Sequence, residues 1–174
     1  MDPTQDEPQF TLKALSPEGI PAALQKAERY RLLNEPWQAE SICRDILTID
    51  AAHEQALITL VLAITDQFPS AGTQRSAEAR QVLAQLTSEY KRAYYSGIIW
   101  ERRATAQPAL HTAAAGHIAY DALRHAMSFY EQAERIRPAG NDEALLRWNT
   151  CARMISGHPH IRPLREDVPQ VELE

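Results

Sequence analysis

One stretch of the chain, YKRAYYSGIIWERR, concentrates side chains that suit binding chemistry. Tyr94 and Tyr95 lie between Lys91 and Arg102, about one to two helical turns from each. Tyrosine rings beside cations suit the capture of an acidic or C-terminal peptide, through charge-assisted hydrogen bonds and contact with the ring faces. The stretch also fits nucleic acid, whose bases would stack on tyrosines and whose phosphates would contact Lys91, Arg92, Arg102 and Arg103.

Other residue types that carry catalysis or bind metals do not form a recognised pattern. The sequence contains no HExxH, GxGxxG, GxxxxGK[ST] or GxSxG motif, and His117 and His125 are about two helical turns apart. Carboxylates sit beside arginines, as in Glu101 and Arg102, which predicts helix-surface ion pairs. We therefore expect no catalytic residue, no metal and no cofactor, and an enzyme is only a third hypothesis.

The charge and cysteine content limit the classes of partner. The formal net charge is −5, and six Lys or Arg against three Asp or Glu make residues 73–115 locally +3. A local charge of +3 is small for a nucleic-acid-binding surface. Cys43 and Cys151 are predicted to be reduced core residues. The acidic start MDPTQDEPQF and the lack of a long apolar run predict a cytoplasmic protein with no membrane contact.

The composition predicts an all-α fold. The 27 alanines favour helix, and the 4 valines disfavour sheet. Apolar periodicity, prolines and capping residues predict seven helices. The first begins at about residue 17, or one turn later at 21, and ends at 33. The others are expected at about 36–49, 52–67, 75–87, 89–105, 117–137 and 143–155. Residues 1–16 and 157–174 are predicted to be tails around a helical domain at 17–156. Residues 106–116 are expected to form a connection of irregular character, with partial helix as the alternative that its alanines leave open.

Small and large residues recur at fixed spacing in the second helix of each predicted pair. Ala126, Tyr130, Ala133 and Pro138 are separated by 4, 3 and 5 residues, and the segment from Ala39 through Cys43 and Ile46 to Ala51 repeats that spacing. Degenerate copies occur at Ala79, Leu83 and Leu86, at Ala27 and Tyr30, and at Gly97 and Trp100. This pattern resembles the tetratricopeptide repeat, in which small residues let antiparallel helices approach closely.

The resemblance implies a short superhelix of about seven antiparallel helices. The junction near Ser88 is about one helical turn shorter than the repeat, which leaves open whether the fourth and fifth helices are continuous. The last helix resembles the helix that ends such arrays, where Trp148 is a candidate homodimer contact.

The resemblance also implies a non-enzymatic interaction module that binds a peptide or partner helix on a concave face. Positions carried over from the repeat predict the residues of that face: Gln25, Glu28, Arg31, Thr59, Thr65, Asp66, Lys91, Tyr94, Tyr95, Arg102, Asn149 and Arg153. The identity of the partner is not predicted.

Overall fold

A computed structural model describes residues 10–106 and 113–164. These residues form eight α-helices and no strand, which confirms the predicted all-α class. Short 3₁₀ turns at Pro17–Gly19 and Thr73–Arg75 precede two of the helices. The helices are α1 (Ile20–Leu32), α2 (Pro36–Ile49), α3 (Glu54–Asp66), α4 (Phe68–Ala71), α5 (Ser76–Leu83), α6 (Glu89–Thr105), α7 (Ala113–Arg135) and α8 (Glu143–Gly157).

Local signals explain where several helices begin and end. Pro36 occupies the first turn of α2, where its missing N–H has no helical partner to lose. Asn34, with φ of 59°, lies in the left-handed region that commonly ends a helix such as α1. The Ser88 side chain accepts a hydrogen bond from the Lys91 N–H at 3.3 Å and caps α6.

Two of the predicted helix boundaries are wrong, and one short helix was not predicted. The fourth predicted helix ends at Leu83 instead of residue 87, and the capped start of α6 shows that α5 and α6 are separate. Phe68–Ala71, where the sequence predicts only a break, forms a short helix, and its Phe68 side chain is buried in the core. Residues 113–116 belong to α7, which begins before the predicted position, whereas residues 107–112 of the expected connection lie outside the described residues.

Each long helix packs against the next one in the chain, with the order α1, α2, α3, α5, α6, α7, α8. Helix α3 also contacts both α1 and α6. The buried side chains form two clusters: one comes mainly from α1–α5 and includes Ile99 of α6, and the other comes from α6–α8 and includes Ile161. Partly buried Leu62 and Tyr95 pack against both clusters. These contacts place α1, α3 and α6 side by side.

Residues 158–164 return to the beginning of α7. Ile161 is buried in the second core cluster, and His117 Nδ1 lies 2.7 Å from the carbonyl oxygen of Arg162. A Cβ on Gly116 would come within 2.0 Å of the His160 carbonyl oxygen. The core therefore includes a residue from the segment expected to be a tail.

Candidate functional site

Side chains from α1, α3 and α6 meet around one carboxylate. Asp66, the last residue of α3, accepts a hydrogen bond from Arg31 Nε at 2.8 Å. Its other carboxylate oxygen lies 2.8 Å from a terminal nitrogen of Arg102. The Arg102 guanidinium also donates to the Leu62 carbonyl at 2.8 Å and to the Thr65 hydroxyl. Arg102 thus holds the C-terminal end of α3, and Arg31 completes the pair of cations on Asp66.

A third arginine, Arg147 of α8, belongs to the same electrostatic neighbourhood. Burial lowers the pKa of Arg102, Asp66 opposes that shift, and the charges of Arg31 and Arg147 lower it further. Arg147 itself donates to Glu101 at 2.9 Å. We call Arg31, Asp66, Arg102 and Arg147 the arginine cluster. Even with Glu101 included, it has three positive charges against two negative ones.

The tyrosines of α6 pack beside the arginine cluster. The ring centroids of Tyr94 and Tyr95 are 5.1 Å apart in an edge-to-face arrangement, and Tyr90 stacks on Tyr94 at 6.0 Å. Burial raises the pKa of Tyr95 to about 12, although nearby Arg31 acts in the opposite direction. Burial also raises the pKa of Tyr94, which a side-chain hydrogen bond from Arg147 opposes. Both phenols therefore remain neutral at physiological pH.

A cavity of about 250 Å³ adjoins this cluster. Its lining combines the Tyr94 ring and the Arg147 cation with the side chain of Leu146, which is 62% exposed. Glu143 and Thr150 complete the lining. A ligand in this cavity would contact apolar surface, the Arg147 guanidinium and the Glu143 carboxylate.

The remaining predicted residues fall into different environments. Glu28 accepts a hydrogen bond from Gln55 at 3.2 Å, and Lys91 pairs with Glu54. Gln25 is exposed on another side of α1. Arg153 is exposed one helical turn beyond Thr150, on the face of α8 that borders the cavity.

Three predicted residues do not present their side chains at this site. Thr59 and Thr65 are each only 1% exposed, and the Thr65 hydroxyl is bound to Arg102. Asn149 lies in a separate groove with Glu131 and Trp148. The helical rotation of about 100° per residue explains the last difference, because Asn149 and Arg147 point to nearly opposite sides of α8.

Glu101 was predicted to form a surface ion pair with Arg102, and this prediction is wrong. Glu101 is 9% exposed and accepts hydrogen bonds from the Tyr130 hydroxyl at 2.5 Å and from Arg147. Burial and the neighbouring Glu101 charge raise the pKa of Tyr130. This buried network ties α6, α7 and α8 together. An acid at a position that helical periodicity places on the core side is the signal that could have revealed it.

The four cations of the possible nucleic-acid surface do not form one face. Lys91 pairs with Glu54 and Arg102 pairs with Asp66. Arg92 donates to the carbonyl oxygens of Leu86 and Thr87, at 2.5 and 2.9 Å. Arg103 lies 4.4 Å from the Trp100 ring centroid, and that ring stacks on His125.

The two cysteines and the side chains that could bind a metal ion have the following environments. Cys43 and Cys151 are free and buried, as predicted, and burial raises the pKa of each thiol to about 12. Within residues 10–106 and 113–164, no three His, Cys, Asp or Glu side chains converge on a position that could hold a metal ion. None of the helices in those ranges has the length and apolar character of a membrane span.

Comparison with known proteins gives no relative. No family model matches the chain, and no curated protein or solved structure matches it.

Proposed function

We propose that the chain is a non-enzymatic protein-interaction module of tetratricopeptide-like helix pairs, which binds an acidic peptide or partner helix at the arginine cluster. The observation that carries the proposal is the meeting of Arg31 and Arg102 on Asp66, between the first helices of three successive pairs. A charged group whose pKa is shifted by burial and by specific charged neighbours, as at Arg102, marks a candidate functional site.

The packing of the repeat positions supports the tetratricopeptide-like arrangement. Ala126, Tyr130 and Ala133 are all fully buried, as are the equivalent Ala39, Cys43 and Ile46. Contacts between α1 and α3, and between α3 and α6, match the packing expected when successive helix pairs stack.

The chemistry of the cluster favours a carboxylate ligand. Arg31 uses its Nε to contact Asp66, and its side chain is 21% exposed. A guanidinium has five N–H donors, so Arg31 retains donors for a second carboxylate. Exposed Leu146, which lines the neighbouring cavity with Tyr94 and Arg147, provides apolar surface for the adjacent side chains of a peptide.

Two labelled probes test the proposal directly. Fluorescence anisotropy would compare an acidic decapeptide of alternating glutamate and leucine with a twelve-nucleotide oligouridine. We expect binding of the peptide and no binding of the oligonucleotide at 0.15 M salt. Tighter binding of the oligonucleotide, with an affinity that falls steeply as salt increases, would favour the nucleic-acid alternative on α6 instead.

A further inference from the structure

The first helix has an outer face that carries cations on an apolar surface. This face lies on the side of α1 opposite to Arg31. A groove of about 520 Å³ runs along it, and the residues that line the groove recur every three or four positions, as one face of a helix requires. Lys26 Nζ lies 5.8 Å from the centroid of the Tyr30 ring, Arg29 is exposed, and Leu33 is 58% exposed. We call this face the basic end, formed by Ala22, Gln25, Lys26, Arg29, Tyr30 and Leu33.

The other end of the helix array carries acids on an apolar surface. A groove of about 350 Å³ between α7 and α8 is lined by Glu131, Glu134, Leu145, Trp148 and Asn149, which we call the acidic end. The indole N–H of Trp148 donates to Glu131 at 2.9 Å. Glu134 lies 3.8 Å from Arg137, whose closer partner is Asp142 at 2.8 Å. The acidic end therefore keeps negative charge around an aromatic side chain.

We propose that the basic end of one copy binds the acidic end of a second copy. The packing order places α1 first and α8 last, so the two surfaces lie at opposite ends of the array. Lys26 and Arg29 match Glu131 and Glu134 in number and opposite sign, while Tyr30 and Leu33 match Leu145 and Trp148 in apolar character.

Charge also determines the symmetry of this contact. Two basic ends repel each other, as do two acidic ends, so a two-fold symmetric dimer through either surface is disfavoured. A contact between unlike ends is heterologous and leaves one free end on each side of a growing chain. Exposed ion pairs contribute little to affinity, so the apolar residues supply most of it and the charges select the orientation.

Sedimentation equilibrium between about 10 µM and 1 mM protein tests the assembly. We expect the weight-average mass to rise above the monomer value of 19.6 kDa without a plateau at the dimer. Lys26→Glu with Arg29→Glu, or Glu131→Lys with Glu134→Lys, should each lower the association constant at least tenfold. An equimolar mixture of these two variants should associate again, because each supplies ends that complement those of the other.

Matched variants keep the test independent of folding and of net charge. Arg80→Glu with Arg124→Glu makes the same charge change as Lys26→Glu with Arg29→Glu, at exposed sites on α5 and α7 that line neither end, and should leave association unchanged. Leu33→Gln alters only an exposed apolar side chain and should weaken association with no change in circular dichroism. The arginine cluster is intact in every variant, so peptide binding there reports separately on the proposed function.

Several results would overturn the head-to-tail contact. A mass that stays at 19.6 kDa up to about 1 mM would show that the copies do not associate. Loss of association in only one of the two charge variants would indicate a symmetric dimer through that end. Failure of the mixed variants to associate would exclude pairing between the two surfaces.

Discussion

The ring of Tyr130 lies directly against the backbone of Gly97. A Cβ at position 97 would come within 2.4 Å of Cε1 of that ring. Tyr130 is fully buried, and its hydroxyl donates to Glu101 on the same helix as Gly97. The glycine therefore permits the close approach of α6 and α7, which form the most extensive helix contact of the described residues.

Gly97→Ala is expected to destabilise the protein by about 1–3 kcal/mol, because the ring cannot move away without losing its hydrogen bond. Helix propensity alone predicts the opposite sign, a gain of about 1 kcal/mol. Urea unfolding measures the difference. Gly157→Ala is the matched control, since nothing lies within 4 Å of its added Cβ. Equal stability of the two variants would contradict the role of Gly97.

The sequence predicts helices best where a local signal marks the boundary. The bounds of α2 and α6 agree with the prediction because Pro36 and Ser88 act within one turn of them. The end of α5 has no such signal, since Ala84 and Gln85 are good helix formers and the chain leaves the helix there. The predicted start of α7 is too late because Gly116 suggests a break. In the structure Gly116 is helical, and its lack of a side chain lets the His160 backbone approach α7 closely.

The candidate site was predictable in part. Repeat spacing put Arg31, Asp66 and Arg102 on one surface, and the structure brings them into contact. Arg147 was missed because the offset on α8 pointed to Asn149, two residues away. Burial of Glu101 depends on packing among three helices, which adjacent charges in the sequence do not reveal.

Glu40 should make stability depend on acidic pH. Burial raises its pKa, but hydrogen bonds from Arg75, Arg44 and Gln67 outweigh this effect and lower the pKa from 4.5 to about 2. Because the folded pKa is the lower one, the stabilisation is complete above pH 4.5 and is lost as the pH falls towards 2.

Glu40→Gln should therefore cost roughly 1–2 kcal/mol at pH 7 and progressively less below pH 4.5. Unfolding by urea at pH 7, 4 and 3 measures this change, with exposed Glu18→Gln as the control. A constant difference between wild type and Glu40→Gln across that range would contradict the assignment.

The two cysteines should resist alkylation in the folded state. Burial raises the pKa of both Cys43 and Cys151 to about 12, so the reactive thiolate is scarce at pH 8. Iodoacetamide labelling followed by mass spectrometry should be on the order of a thousandfold slower than in denaturant. Rapid labelling of either cysteine in the folded protein would show that its thiol is accessible to solvent and would contradict its burial.

Gly116→Ala should displace residues 158–164 from α7. The added Cβ would meet the backbone oxygen of His160 at 2.0 Å, and backbone cannot yield as a flexible side chain does. The amide of Ile161, which donates to the His158 carbonyl at 2.9 Å, should then exchange hydrogen faster. Unchanged exchange at this amide would mean that the segment is not held by this contact.

Arg31→Gln tests the central claim most directly, because Asp66 keeps its second partner, Arg102, and the core is untouched. The measurement is anisotropy of the labelled acidic decapeptide, with exposed Arg135→Gln as a control of equal charge change. We predict that Arg31→Gln raises Kd by about tenfold or more, as expected for a lost charged hydrogen bond, and that Arg135→Gln changes it less than about twofold. Equal affinities of the two variants would contradict binding at the arginine cluster.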